Sequence, residues 1–308
     1  MSTEVTRRRA WVIAARPQTL PAAAAPVAVG VGLALGDGVF APLPALAALV
    51  GASLIQIGTN FANDYYDAVN GADTDDREGF TRVVASGLID PGAVRRAMWL
   101  AFAAAVAVGT YLVAVGGVPI LVVGVVSVAA GIAYTGGPYP LGYHGLGDLF
   151  VFVFFGVVAV AGTYYVQAAA LAGGAVPVTL PAGTVTLAAV VAGVPIAALS
   201  TNILVVNNLR DREEDAATGK RTLAVRFGPR FARAEYLAMT ALAYLTPVWF
   251  AATGRGAAAL PLVTLPLAAA VTRTVLTETS GEALNPALES TGRLLAAYAA
   301  AFAVGLAL

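Results

Sequence analysis

Apolar residues in this chain run in continuous blocks about as long as a membrane is thick, parted by short polar connections. A bilayer core of about 30 Å needs about 20 mostly apolar residues per helix. Nine stretches fit: 19–36, 42–62, 94–115, 119–134, 146–170, 185–206, 231–253, 257–277 and 291–308. Within lipid every backbone polar group must find its partner internally, so a span is either a helix or part of a closed barrel. The blocks lack the period-two alternation of barrel strands, which selects helix. The pattern therefore predicts an all-α, polytopic membrane protein of nine transmembrane helices. Prolines inside the blocks (Pro26, Pro195, Pro247, Pro266) are expected to kink or tighten them.

Composition agrees. Of 308 residues 58% are hydrophobic and 12% charged, with mean hydropathy +0.78; soluble domains carry about a quarter charged residues. Formal net charge is zero, which removes the electrostatic case for a nucleic-acid partner. No cysteine is present, so disulfide scaffolds, thiolate metal sites and cysteine nucleophiles are excluded.

Arginine placement sets the expected orientation. With Arg7, Arg8, Arg9 and Arg16 in the cytoplasm, 17 of the 18 basic residues fall on the inner side and only Arg255 on the outer. Such a bias is the positive-inside signature and points to the cell membrane with a cytoplasmic N-terminus. Nearly all acids lie inside as well, Asp37 excepted. The basic start followed by an apolar run is taken as an uncleaved first helix.

Two connections are long, 63–93 and 207–230, and both are cytoplasmic in this orientation. Each opens with a polar stripe. In the first, Asn60, Asn63, Asp64 and Asp67 recur at spacings of three and four, so on a helix they share a face, with Gln56 one turn deeper; Asp73 follows. In the second, Asn207, Asp211 and Asp215 recur at spacings of four, beside Asn208. One such stripe is what a solvated helix end with turn-forming Asn and Asp looks like. Two of them, each led by asparagine and each followed by basic residues on the same side of the membrane, suggest a cap over the bundle. Carboxylates crowded on one face repel unless a cation lies between them. Such hard oxygen ligands suit Mg²⁺, which takes one or two carboxylates and completes its shell with phosphate oxygens and water. Arg82, Lys220 and Arg221 are the companions for remaining phosphate charge; Lys220 is the only lysine in the chain. The halves 1–145 and 146–308 look weakly duplicated, within one domain spanning 1–308. No obligate protein partner is evident.

These residues carry a resemblance. Asn63-Asp64-x-x-Asp67 followed by Asp211-x-x-x-Asp215 resembles the paired aspartate motifs of UbiA-type intramembrane prenyltransferases, and in particular their 1,4-dihydroxy-2-naphthoate branch in menaquinone biosynthesis. The narrower match rests on Arg16-Pro17 to Pro21, Gly71 to Thr74 with Thr81-Arg82 to Gly87, Ala133-Tyr134 through Gly147-Asp148, and Asn207-Asn208 through Leu223. The broader superfamily has a third Asp four residues after the second in its first motif. Here the next Asp after Asp67 is Asp73, a longer gap that disfavours 4-hydroxybenzoate.

The resemblance implies nine helices around a central cavity under a cytoplasmic cap. It implies Mg²⁺-dependent transfer (two ions) of a polyprenyl group from its diphosphate to dihydroxynaphthoate, with loss of carbon dioxide. Asn63, Asp64, Asp67, Asp211 and Asp215 match the Mg²⁺–diphosphate ligands, with Arg82, Lys220 and Arg221 beside them. Tyr134 and Asp148, at the ends of a Gly- and Pro-rich turn, are expected near the acceptor. His144, the only histidine, is read as an incidental loop residue. Phe61, Tyr65, Phe152, Phe154, Tyr164 and Tyr165 are candidates to face an allylic cation, although aromatics in membrane bundles more often pack or anchor at the interface. Homogentisate is a neighbouring acceptor chemistry. An ion-coupled transporter is the rival from another class, but its polar groups would sit near the midplane. A phosphatidyl-alcohol transferase would gather its aspartates in one short stretch, whereas Asp64 and Asp211 are 147 positions apart.

Alanine at Asp64 or Asp211 is expected to abolish transfer while leaving membrane insertion intact. Turnover retained by membranes containing either variant would remove that residue from the ligand set.

Overall fold

The computed structural model describes residues 5–71, 81–174 and 176–308. Among them the chain is helical: α1 (Arg7–Ala15), α2 (Leu20–Gly36), α3 (Pro42–Val69), α4 (Pro91–Ala133), α5 (Gly147–Phe152), a π-helical stretch (Val153–Val158), α6 (Ala159–Ala172), α7 (Leu187–Arg210), α8 (Arg212–Ala217), α9 (Leu223–Ala252), a 3₁₀ stretch (Gly256–Thr264), α10 (Leu265–Thr277) and α11 (Gly281–Ala307). Helix starts follow local chemistry. Thr6, Asp90, Thr186, Thr222 and Ser280 each accept a hydrogen bond from the first-turn backbone of the helix they precede, satisfying amides that have no partner within the helix.

Seven helices among the described residues are long and apolar enough to cross a membrane, so the expected count of nine is not reproduced as such. Two departures have physical causes. The first is α4, which merges the spans read at 94–115 and 119–134. Gly117 inside it has φ 66° and ψ −153°, a conformation open to glycine. Phe102 and Gly131 are 29 positions apart, about 44 Å along a straight helix. A Cβ on Gly131 would nevertheless lie 3.7 Å from the Phe102 ring. The chain doubles back at Gly117, and α4 is a helical hairpin. The second is α9, absent from the seven; it starts eight residues before the expected 231, bears Arg226, Arg230, Arg233 and Glu235 in its first half, and breaks at Gly228 (φ 81°). Pro26, Pro195 and Pro247 lie inside helices as expected, whereas Pro266 occupies the first turn of α10, where its missing N–H costs no bond.

Side-chain placement is that of a protein with lipid as solvent. Large apolar side chains such as Leu43, Leu46, Leu100, Val125 and Val263 are exposed, while Gln56, Asn60, Asp64, Asp67, Gln167, Asn202 and Thr291 are buried. Polar groups retreat to the interior because hydrocarbon offers them no partner. The largest apolar core joins α2, α6, α7, α9 and α11 through residues including Leu33, Val160, Ile196, Leu199, Tyr298 and Phe302. Since lipid tails are as apolar as leucine, close backbone approach does much of the work of association. A Cβ on Gly32 would overlap the Ala303 backbone, and one on Gly156 would overlap Ala197. At the end of the bundle away from the aspartate motifs, the two residues that broke the charge pattern find each other: Arg255 pairs with Asp37, and the Tyr164 hydroxyl donates to the same carboxylate at 2.9 Å.

Valine at Gly32 is expected to cost about 1–3 kcal/mol, the range for overpacking a close contact. Thermal unfolding in detergent reads it as a clear drop in midpoint, and an unchanged midpoint would show that α2 and α11 do not depend on that approach.

Candidate active site

The last turns of α3 carry the first motif. Asp64 is fully buried. It accepts from the backbone N–H groups of Val83 at 3.2 Å and Val84 at 3.0 Å, and faces Arg16 Nη2 at 3.8 Å. Asp64 thereby fastens the returning segment onto the end of α3. Arg16, between α1 and the short 3₁₀ turn Pro17–Thr19, has φ 50° and is the one non-glycine residue at positive φ among the described residues. A side chain in that region costs about 1–2 kcal/mol, a strain the surrounding packing holds in place while directing a guanidinium at Asp64. Asp67, one turn on, accepts from Arg82 at 2.8 Å and from the Tyr143 hydroxyl at 2.6 Å.

The second motif spans the end of α7 and α8. Arg210 holds Asp211 in a two-point contact at 2.6 and 2.9 Å, and also donates to Asn207 at 2.9 Å and Asn285 at 3.0 Å. Both partners of that pair are 2% exposed. Asp215 lies one turn further, its backbone N–H bonded to the Asp211 carbonyl at 2.8 Å, so helical spacing survives the change from α7 to α8. Lys220 then joins the motifs. Its Nζ is 3.7 Å from Asp215, 3.8 Å from Asp67, and 4.9 Å from the centroid of the Tyr143 ring. The backbone around it is clasped too, for Arg221 N–H donates to the Tyr143 carbonyl at 2.7 Å and Arg226 donates to the His144 carbonyl at 3.0 Å. Asp67 and Asp215, 148 positions apart in sequence, thus meet around one ammonium.

Tyr134 ends the α4 hairpin beside this constellation, its hydroxyl 2.8 Å from where a Cβ on Gly147 would lie. Burial raises its phenol well above the usual value, and the charges of Asp148, Asp67 and Asp215 raise it further, so it remains a protonated donor. Asp148, in the first turn of α5, is 6% exposed, and its Oδ1 has no hydrogen-bond partner among the described residues. Half-buried Glu235 of α9 lies within electrostatic reach of Asp148.

Other expected residues are engaged elsewhere. Asn60 donates to the Ala15 carbonyl and to Thr19 Oγ1, both at 2.9 Å, and accepts from Gln56 at 3.2 Å. It ties α3 to the N-terminal segment instead of facing the carboxylates. Asn63 accepts from Thr135 at 3.0 Å and Asn207 donates to Asp211 at 3.3 Å. Asn208 is buried and Arg221 exposed. Asp73 lies outside the described residues. His144 is spent on the Pro140 carbonyl at 2.9 Å and stacks on Tyr139. Of the six aromatics, Phe154 lines the cavity described next. Phe61 packs edge-on against Trp11, Tyr65 lies edge-on to Tyr66, Tyr164 holds Asp37, and Tyr165 donates to the Gly116 carbonyl. Tyr143, Arg210 and Glu235 entered no sequence expectation as site residues; Tyr143 and Arg210 were legible only as neighbours of motif positions, and a single Glu among the arginines of the first half of α9 carries no signal.

A cavity of about 700 Å³ runs between α2, α3, both legs of α4, the π-helical stretch and α6, with Tyr134 at its polar end. Its walls are chiefly Ala, Val, Ile, Leu, Phe and Gly. Among the described residues no three carboxylates converge on one point. The donor set therefore suits not a protein-only cage but a hard cation taking one or two carboxylates from a motif and its other ligands from phosphate.

Residues 23–304 match the UbiA prenyltransferase family, and the chain belongs to that family. It is 41% identical over 298 residues to the 1,4-dihydroxy-2-naphthoate octaprenyltransferase of Mycobacterium tuberculosis, covering 96% of each chain. It is 38% identical to the protein of that name from Escherichia coli, covering 94% of this chain and 92% of that one. Among solved structures, a UbiA homologue from Aeropyrum pernix K1 shares the fold with a TM-score of 0.69 at 16% identity, over 91% of this chain and 96% of that one. A UbiA homologue from Archaeoglobus fulgidus bound to DMAPP and Mg²⁺ does so with a TM-score of 0.55 at 16% identity, over 96% and 99%. The chain is a multi-pass membrane prenyltransferase.

Alanine at Arg210 leaves the buried Asp211 carboxylate without its two-point partner, expected to cost about 3–5 kcal/mol. Thermal unfolding measures the loss. Lysine there should recover only part of it, since an ammonium cannot make the paired contact.

Proposed function

We propose that this enzyme transfers the polyprenyl group of a polyprenyl diphosphate to 1,4-dihydroxy-2-naphthoate, at the ring carbon bearing the carboxylate, to give a demethylmenaquinol for menaquinone biosynthesis. The observation that carries the reading is the Lys220 ammonium shared by Asp67 and Asp215. It gathers both aspartate motifs beside Tyr134, which stands at the polar end of a cavity otherwise suited to an isoprenoid tail. The choice of acceptor is supported by the names of the Mycobacterium tuberculosis and Escherichia coli relatives, which the chain matches nearly end to end.

Asn63, Asp64, Asp67, Asp211 and Asp215 hold two Mg²⁺ ions, a need supported by the Mg²⁺ in the Archaeoglobus fulgidus homologue. Bound there, the ions act as Lewis acids that stabilise the charge gathering on the departing diphosphate. Arg82, Lys220 and Arg221 take phosphate charge that the metal leaves. The bond between the allylic carbon and the diphosphate oxygen breaks with its electrons leaving on the diphosphate, and the ring carbon attacks in its place. The carboxylate then departs as carbon dioxide, returning its electron pair to the ring and restoring aromaticity. Tyr134 donates to the acceptor, and Asp148 holds the proton of the neighbouring ring hydroxyl during attack and gives it back. The apolar walls keep water from the cation. The arginine distribution supports a cell-membrane location with the N-terminus and motif segments in the cytoplasm. The substrates and the bilayer are its partners.

The test is purified protein with Mg²⁺, labelled polyprenyl diphosphate and a panel of dihydroxynaphthoate, 4-hydroxybenzoate and homogentisate, following both product and carbon dioxide. Prenyl naphthol with stoichiometric carbon dioxide is expected. Prenylation of 4-hydroxybenzoate without carbon dioxide would refute the acceptor and keep the transferase.

A further inference from the structure

Three glycines in the cavity wall have nothing to pack against. A Cβ built on Gly109, Gly124 or Gly162 meets no described atom within 4 Å, and all three line the cavity. This is unlike the packing glycines of the bundle: at Gly32, Gly131 and Gly156 the same Cβ would clash. Glycine within a helix costs about 1 kcal/mol relative to alanine, and at these three sites no close contact calls for it. What they share is the space in front of them.

Their position is also shared. Gly109 lies in the outgoing leg of the α4 hairpin, Gly124 in the returning leg and Gly162 in α6, so they face the cavity from three sides. Gly124 stands ten residues before Tyr134, about 15 Å along the helix from the polar end. Beyond that level the α4 turn is held rigidly, with the Tyr165 hydroxyl bonded to the Gly116 carbonyl at 2.7 Å and Val118 N–H to the Pro177 carbonyl at 2.9 Å. Exposed Val106, Thr110, Leu121 and Val125 flank the cavity there, so its far half opens toward the bilayer.

We propose that Gly109, Gly124 and Gly162 form the bore through which a long prenyl tail passes from the diphosphate site toward lipid, and that their lack of side chains sets which donor lengths are accepted. This rests on the proposed prenyl-diphosphate reading of the cavity. A ten-carbon geranyl tail ends short of the ring, and a forty-carbon octaprenyl tail must thread it. A leucine at any of the three narrows the passage for the long donor alone.

The experiment measures kcat/KM for geranyl, geranylgeranyl and octaprenyl diphosphates with Mg²⁺ and dihydroxynaphthoate. It compares wild type with Gly109→Leu, Gly124→Leu, Gly162→Leu, Gly124→Ala and the lipid-facing control Val263→Leu. The octaprenyl-to-geranyl ratio should fall at least tenfold in each leucine variant and less in Gly124→Ala, with the control keeping the wild-type ratio. Ratios within twofold of wild type in the leucine variants, including a uniform loss across donors, overturn the bore. So does failure of those variants to fold in detergent, since the sites would then not be open. A wild type that transfers none of the donors sinks the functional reading separately, without bearing on the open space at the three glycines.

Discussion

Charge held at the mouth of an apolar bundle is the constraint on which this protein turns. Asp64, Asp67, Asp211 and Asp215 are all buried, and a bare carboxylate out of water costs several kcal/mol. Each is met by a cation or backbone donor: Arg16 and two amides at Asp64, Arg82 and Lys220 at Asp67, Arg210 at Asp211, Lys220 at Asp215. The partners come from the link after α1, the segment after α3, the end of α7 and the turn before α9. The polar cap therefore assembles only when these parts meet, and the need to neutralise the acids helps draw them together.

Beneath the cap, geometry comes from small residues. Glycines in α2, α11 and the π-helical stretch let backbones touch where lipid supplies no hydrophobic drive, while Gly109, Gly124 and Gly162 leave room instead. The π-helical stretch Val153–Val158 sits against α7 through Gly156 and Ala197, and such irregularities concentrate near functional sites. At the opposite end, Asp37, Arg255 and Tyr164 tie the end of α2, the turn before the 3₁₀ stretch and α6 into one polar knot.

The two acidic stripes were legible as spacing. Asp64 and Asp67 three apart, and Asp211 and Asp215 four apart, lie one helical turn from each other because helical periodicity persists through both helix ends, even where α7 gives way to α8 at Asp211; which of them meet across the bundle, Asp67 and Asp215 at Lys220, spacing does not say. Asn60 shows where that logic stops. Its spacing places it on the stripe, but its amide meets Ala15 and Thr19, because a first helical segment packs there and sequence spacing carries no record of what faces a stripe. The candidate aromatics divide on the same ground: Phe154 lines the cavity, while the hydroxyls of Tyr164 and Tyr165 needed partners and found them in Asp37 and the Gly116 carbonyl, the packing role more usual for aromatics in a membrane bundle.

The chain's own order of residues determined the membrane setting, the helical class, the two acidic motifs and the family, since each is a matter of composition, period or local pattern. Tertiary structure decided the rest. It turned a 43-residue helix into a hairpin at Gly117, spent Asn60 on scaffold, brought Tyr143 and Arg210 onto the aspartates, and placed one lysine between motifs far apart in sequence. Those outcomes depend on which surfaces come to lie against each other, and long-range contact is a property of the packed bundle that no local pattern encodes.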